Sequence, residues 1–387
     1  MTDISPTRLS SIDVFRAITM FLMIMVNDMA GVSHIPAWIG HTEAYADGMG
    51  FADTIFPAFL YIVGLSLPLA LKTRIDKGQP FLKTLAYILL RSSALIIMGF
   101  FHVNMEGYST SAILPKPIFT ILSTFAFFLI WLDYPARITR PWRYLLNISG
   151  ILLLISLAFL YRGGSPAAPH GMEPSWWGIL GIIGWAYLVC SVLFLVFRGK
   201  PLVMVLALLL FAAINVLNHT GLLPSLPVIG DASNETLIMA GTVSVLFYLQ
   251  KPSGKLFIIP LLAAGVMLIV SGNVIRPYTG GISKIYSTPP WVFICAGISV
   301  VSFGLIYFLT DIKGKKSYFK IIHSAGTSTL TCYLIPYLLY SFFDLTDTWY
   351  PAPFNSGSAG IIRSFVTAIL VVLLVRTMER GNIRLKI

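Results

Sequence analysis

The chain has 387 residues, of which 56% are hydrophobic and only 11% charged, where an ordinary soluble domain is about half apolar and about a quarter charged. Apolar runs of about 20 residues, the length that crosses a ~30 Å hydrocarbon layer, recur throughout and imply an all-α, polytopic transmembrane helical bundle. A net charge of +11 would suit nucleic acid in a soluble protein, but here the basic residues follow membrane topology and no nucleic-acid partner is expected.

Twelve spans are predicted in chain order: 13–30, 52–71, 82–103, 115–132, 142–161, 176–197, 201–218, 235–249, 256–272, 290–310, 321–343 and 358–377. The runs at 115–132 and 235–249 are the weakest, and if one only re-enters the layer the count is eleven. The first run carries Arg16, Asn27 and Asp28 and no small-x-small cleavage site, so it is expected to stay in the mature protein as a span. With both termini cytoplasmic, 20 of the 27 Lys and Arg residues fall on the inner side. They include Arg8, Lys251, Lys255 and Lys313. Only Lys116, Arg162, Arg276 and Lys284 fall outside, while Arg16, Arg91 and Arg363 lie within spans. This asymmetry is the positive-inside pattern, and the inner basic loops are expected to touch anionic lipid. No cytoplasmic connection is long enough for a nucleotide-binding domain, so residues 1–387 read as a single transmembrane domain.

Ionisable residues inside a span are costly, and each raises a functional question. Asp13 and Arg16 stand one turn apart on the first span, a spacing that allows an ion pair. Arg91 in the third span requires an acid or an anionic ligand such as a phosphate. Polar groups are denser toward the outer side. Asn27 and Asp28 end the first span, and the stretch "SHIPAWIGHTEAYADGMGFAD" adds His34, His41, Glu43, Asp47 and Asp53 without one Lys or Arg. His102, Asn104 and Glu106 end the third span, His170, Glu173, Trp176 and Trp177 precede the sixth, and Arg276 and Lys284 lie before the tenth. If these segments converge, they make an outward-facing polar pocket with aromatic walls suited to a sugar ring. The His and acid spacings match no familiar metal-ligand motif, so no metal is expected. Neither a phosphate-binding glycine loop nor a Gly-x-Ser-x-Gly elbow occurs. Cys190, Cys295 and Cys332 sit inside apolar runs and read as packing residues. So does the small-residue segment "GTSTLTCYLIP" at 326–336.

Three stretches resemble the heparan-α-glucosaminide N-acetyltransferase family: "SSIDVFRAITMFLMIMVND" (10–28), the histidine-bearing loop, and "FADTIFPAFLYIVGLSLPLAL" (51–71). The similarity is strongest over 10–71, and "RSSALIIMGFF", "SKIYSTPPWVFICAG" and "GTSTLTCYLIP" extend it. It points to an uncharacterised bacterial branch and so to the bacterial inner membrane. The resemblance implies about eleven membrane helices, often as a homodimer. It also implies transfer of acetyl from cytosolic acetyl-CoA to the amine of a glucosamine-type sugar on the other side. The family's catalytic asparagine falls on Asn27, its acid on Asp53, and its histidine on His41, with His34 as competitor. The chain departs from the family pattern where "HTEAYADGMG" lacks a Trp, where "FRA" replaces "FRG", and around Glu173.

Under this resemblance His41 is the base that deprotonates the acceptor amine, or else the carrier of an acetyl-imidazole. Asn27 donates a hydrogen bond to the oxyanion, and Asp53 orients the imidazole. Arg16 and Arg91 are the expected acetyl-CoA contacts. Asp28, His34, His102, Glu106, Glu173, Trp177 and Lys284 are the expected substrate-binding set. The alternative is an inner-membrane transporter of amino sugars (N-acetylhexosamine or muramyl sugars), which an outward pocket and intramembrane charges serve equally. The lack of an internal repeat counts against it.

Overall fold

The computed structural model describes residues 9–250 and 254–387. Arg8, Lys251 and the side chain of Lys255 lie outside the described residues. Eleven of the twelve predicted runs each coincide with one helix, and the run at 321–343 with two. The helices are α1 (Ser10–Met29), α2 (Ile55–Asp76, entered by a 3₁₀ turn Phe51–Thr54), α3 (Phe81–Asn104), α4 (Lys116–Trp131), α5 (Arg140–Leu160) and α6 (Gly178–Val196). Then follow α7 (Pro201–His219), α8 (Ser233–Gln250), α9 (Gly254–Ile275), α10 (Pro289–Tyr307), a short α11 (His323–Thr327), α12 (Thr329–Thr346) and α13 (Gly357–Arg380). Among the described residues nine helices are long and apolar enough to cross a membrane, so the chain is a multi-pass helical bundle. The shorter α4 has 16 residues and α8 has 18, at the two runs read as weakest, and α12 also has 18. One small hairpin, β1 (Gly163–Ser165) with β2 (Ala168–His170), interrupts the α pattern in an outer connection.

Sequence sets both the starts of these helices and their ranking in the bundle. Proline at the first turn opens α4, α5, α7 and α10, where its fixed φ suits a helix and its missing N–H costs nothing. The Asp311 carboxylate accepts the Ser10 and Ser11 amides at 3.2 and 2.8 Å and so caps α1 from a distant segment. The windows of α1 and α10 are 61% buried and those of α5 and α9 only 17%, which sets the former at the centre and the latter against lipid. Close crossings use glycine. A side chain at Gly64 would meet the Ile238 backbone, and one at Gly241 would meet Tyr61, so α2 and α8 touch through their backbones. Gly99 and Gly181 do the same for α3 and α6.

Contacts between connections sort by side. Asp47 binds Arg276, Ser33 pairs with Ser356 and Tyr108 with Gly163 on the outer face. Leu132 pairs with Leu385 on the inner face. Connections thus alternate between the two ends of the bundle, as consecutive spanning helices require.

The predicted span 321–343 is corrected: it is two helices, broken at Ser328 (φ −123°, ψ 46°). The hydroxyls of "TST" compete for main-chain partners, and Thr329 Oγ1 bonds the Ala325 and Gly326 carbonyls. The packing role of the segment holds, since Gly326 lies against the Asp13 carbonyl and Ala17 of α1.

Candidate functional site

The outer loop between α1 and α2 is pinned at both ends. Phe51 and Ala52 amides donate to the Trp38 and Ile39 carbonyls at 2.7 and 3.1 Å. Asp47 accepts from Arg276 Nε at 2.9 and 3.0 Å and from the Ile282 amide at 2.7 Å. The Arg276 hydrogen bond, followed by that amide, holds the Asp47 carboxyl below its usual value. Asp47 is therefore a tether on the exposed rim of the loop.

This folding brings Asp53 beneath His41. Asp53 is only 2% exposed, and its Oδ1 lies 2.7 Å from His41 Nδ1. Its Oδ2 accepts the Thr42 and Gly50 amides, each at 3.0 Å, and its own carbonyl accepts Trp291 Nε1 at 3.2 Å. A carboxylate fixed this firmly selects the imidazole tautomer that carries its proton on Nδ1 and leaves Nε2 bare. Lys284 Nζ stands 3.1 Å from the same Nδ1 and 3.7 Å from Asp53 Oδ1. Burial lowers the Lys284 ammonium from its usual value, and the charge and hydrogen bond of Asp53 oppose that. His41, 38% exposed at its side chain, lines a cavity of about 510 Å³ with Val26, Met29, Glu43 and Ala52.

A second cavity, of about 350 Å³, occupies the inner half of the bundle and carries Arg16, Arg91 and Lys386 among aliphatic and aromatic walls. Arg16 pairs with Asp13 at 3.4 Å, as its spacing predicts, and also donates to Ser66 Oγ at 2.6 Å and to the Gly326 carbonyl at 3.2 Å. That carbonyl is available because the helix breaks there. Non-helical backbone is tolerated at membrane depth where it lines a cavity. Arg91 Nη1 donates to Tyr87 Oη at 3.2 Å, and its guanidinium faces the Tyr187 ring at 5.3 Å. Among the described residues no carboxylate is within ion-pair reach of it, so its charge is free for an anionic ligand.

The two cavities approach each other along α1. Met23 lines the inner one and Val26 the outer one, a separation of three residues or ~4.5 Å of helix rise. Arg16, Met20, Met23 and Asn27 form one stripe of α1, with Asn27 exposed at its outer end.

The remaining predicted residues separate. Asp28 is withdrawn from any substrate: Tyr340 Oη donates to it at 2.6 Å and Arg363 Nη2 at 3.0 Å, and it is buried. Its neighbour Asn27 points elsewhere because successive helical residues lie about 100° apart. His34 faces Ser33 and Ser356 hydroxyls at 3.2 Å, on the far anchor of the loop, and does not share the Asp53 site. His102 is buried, stacked on Tyr337 at 4.2 Å, and is not an open substrate contact. Glu106 accepts Trp176 Nε1 at 3.0 Å, the main chain of Glu173 is bound by Asn104, and Trp177 packs on Phe100 and Trp185. These three form a separate outer cluster at the α3–α6 seam. Sequence reading missed Lys386, Ser66 and the Gly326 carbonyl at the inner cavity, and Arg363 as the partner of Asp28. Of these, only Arg363 carried a signal, as a charge inside a span.

Comparison with known proteins bears on the first part of the chain. A family model described as "Domain of unknown function (DUF5009)" matches residues 8–167, a range that holds Arg16, Asn27, His41, Asp53 and Arg91 but not Lys284. Heparan-alpha-glucosaminide N-acetyltransferase of Homo sapiens is 35% identical over 99 residues, 26% of this chain and 14% of the human protein. The protein of the same name from Mus musculus is 34% identical over 100 residues, again 26% of this chain and 14% of the relative. The match thus spans 14% of the length of these curated relatives.

Proposed function

We propose that this protein is a membrane acetyltransferase of the bacterial inner membrane that moves acetyl from cytosolic acetyl-CoA to the amine of a glucosamine-type sugar on the outer side. The observation that carries this is the pair of cavities lined by successive turns of α1, a cationic inner one and an outer one that bears the His41–Asp53 pair. The name of the human and mouse relatives agrees with it.

Arg16, Arg91 and Lys386 suit the phosphates of the acyl donor by charge, and Arg guanidinium by its fork of donors. The apolar wall between them and Met23 suits the pantetheine arm, whose thioester then reaches the level of Asn27. Nε2 of His41 takes a proton from the acceptor ammonium, since only the free amine is a nucleophile. The amine nitrogen forms the new C–N bond, and Asn27 donates a hydrogen bond to the oxyanion that develops. The C–S bond breaks, and the departing thiolate takes up the second amine proton. Asp53 keeps the proton on Nδ1 and stabilises the imidazolium. Glu43, on the wall of the outer cavity, supplies a negative charge for an ammonium sugar.

Purified protein in nanodiscs, given labelled acetyl-CoA and glucosamine, should form N-acetylglucosamine, and His41→Ala should not. Equal product from both removes His41 from the chemistry. The transporter alternative makes the opposite forecast: uptake of labelled amino sugar into proteoliposomes without CoA and no acetylated product. That result would overturn acetyl transfer.

A further inference from the structure

Nδ1 of His41 has two suitors, Asp53 Oδ1 at 2.7 Å and Lys284 Nζ at 3.1 Å. It cannot satisfy both. When it bears a proton it donates to Asp53, and when bare it accepts from Lys284. The shorter contact belongs to the carboxylate. A buried carboxylate alone favours imidazolium, and an imidazolium has no lone pair with which to take a proton from an amine. An opposing cation at the same nitrogen corrects this.

We propose that Lys284 is a positioning residue for the acetyl transfer: its ammonium offsets the charge of Asp53 at Nδ1, keeping His41 neutral with Nε2 bare. The proposal rests on the acetyl-transfer reading above for its chemistry, and on the Asp53–His41–Lys284 geometry for its physics. Lys284 comes from the connection before α10, so the site is assembled from segments far apart in the chain. The Ser283 hydroxyl donates to the Ala44 carbonyl at 2.9 Å and locks the two segments together. The nearby Ser287 carbonyl accepts from Asn215 at 3.2 Å, and the Tyr286 carbonyl from His219 at 2.8 Å, so the turn bearing Lys284 is fixed at three points.

Other charged or titratable groups around the pair are accounted for. Glu43 lines the same cavity from the loop, and Asp47 is neutralised by Arg276. Tyr45 and Tyr286 pack against each other at 5.8 Å on the exposed rim. From α10, Cys295 Sγ lies 3.9 Å from the Asp53 carbonyl and is buried behind the carboxylate. Lys284 is thus the cation that meets Asp53 and His41 together. Burial makes that ammonium easier to deprotonate than an exposed lysine, while Asp53 restrains the effect.

The test compares Lys284→Met and Lys284→Arg with the parent in nanodiscs. Removing the cation lets imidazolium form at higher pH, so the acid limb of the kcat/KM profile should move up by about one to two pH units in Lys284→Met. At a fixed pH on that limb this is a loss of roughly ten- to a hundredfold. Lys284→Arg should restore both position and rate. A uniform loss in Lys284→Met with an unmoved profile overturns the proposal, as does an unchanged rate. A second readout needs no turnover: ¹⁵N NMR of labelled histidines, with His41 assigned by its disappearance in His41→Gln. Its imidazole should protonate at higher pH in Lys284→Met than in the parent, and identical titrations overturn the role of Lys284. If parent protein forms no acetylated sugar while the NMR difference is present, the acetyl-transfer reading falls and the pairing stands.

Discussion

Replacing Asp53 with Asn keeps the shape of the side chain and removes its charge. The Thr42 and Gly50 amides, both 3.0 Å from one oxygen, require an acceptor there. The new amide must therefore turn its oxygen toward them and its NH₂ toward His41 Nδ1, 2.7 Å away. Nδ1 then becomes the acceptor and the imidazole proton moves to Nε2, which can no longer serve as a base. General-base catalysis is worth about 10²- to 10⁴-fold, or about 3–5 kcal/mol in the barrier at ~1.36 kcal/mol per tenfold. The ground state loses less, because two of three hydrogen bonds to the carboxylate survive. The third, a charge-assisted bond, is worth about 1.5–3 kcal/mol. The assay is acetylation of glucosamine at saturating acetyl-CoA, paired with a thermal unfolding curve in the same nanodiscs. Asp53→Asn should remain folded with kcat reduced at least a hundredfold. A kcat within about threefold of the parent would show that the tautomer of His41 is irrelevant and would refute the base assignment.

Three further outcomes follow from other parts of the molecule. Arg91→Ala should weaken acetyl-CoA binding by roughly ten- to a hundredfold, the worth of one hydrogen bond to a charged group, and leave sugar affinity unchanged; titration of each ligand checks this. Arg363→Met leaves Asp28 buried without its cation, which should cost about 3–5 kcal/mol of stability, measured by unfolding in detergent; Asp28→Asn in the same chain should recover part of it. Asp47 is held below its usual value by Arg276, so its tether is complete above the ordinary carboxylate value of about 3.9 and is lost as pH falls through the lowered one. Limited proteolysis of the 31–50 loop should accelerate once pH falls through that lowered value, relative to about pH 6, in the parent, and Arg276→Met should shrink the difference by leaving only the Ile282 amide on the carboxylate.

Hydropathy made the bundle legible, because every long helix must cover its backbone with about 20 apolar residues or expose it to lipid. Even the weak runs at 115–132 and 235–249 proved to be helices: α4 is short, and α8 carries polar residues such as Ser233, Asn234, Glu235 and Thr236 that lower its signal. Hydropathy is blind to backbone breaks. Nothing in its average distinguishes Ser328 from the helical residues around it, and the break that lends the Gly326 carbonyl to Arg16 was unforeseen. The resemblance over 10–71 singled out Asn27, His41 and Asp53, and Arg16 and Arg91 were legible as charges inside spans. Lys284 was legible only as an outer cation. Its nearness to His41 depends on contacts such as Ser283 to Ala44, across more than half the chain, and no local pattern encodes such a contact. Asp28 misled for a related reason: its cation, Arg363, comes from the last helix.

The ring stack on His102 has a consequence for how α3 and α12 are held together. One turn beyond Tyr333 on the inner cavity wall, Tyr337 lies flat on His102 at 4.2 Å, with Phe127 across its edge at 5.6 Å. Both ring nitrogens of His102 are shut away from water and partners among the described residues. The ring is therefore held by face and edge contacts alone, while the polar end of Tyr337 turns to the Tyr333 hydroxyl at 3.2 Å. A histidine here serves as an aromatic plate between α3 and α12, and the seam would accept a ring of the same shape without its nitrogens.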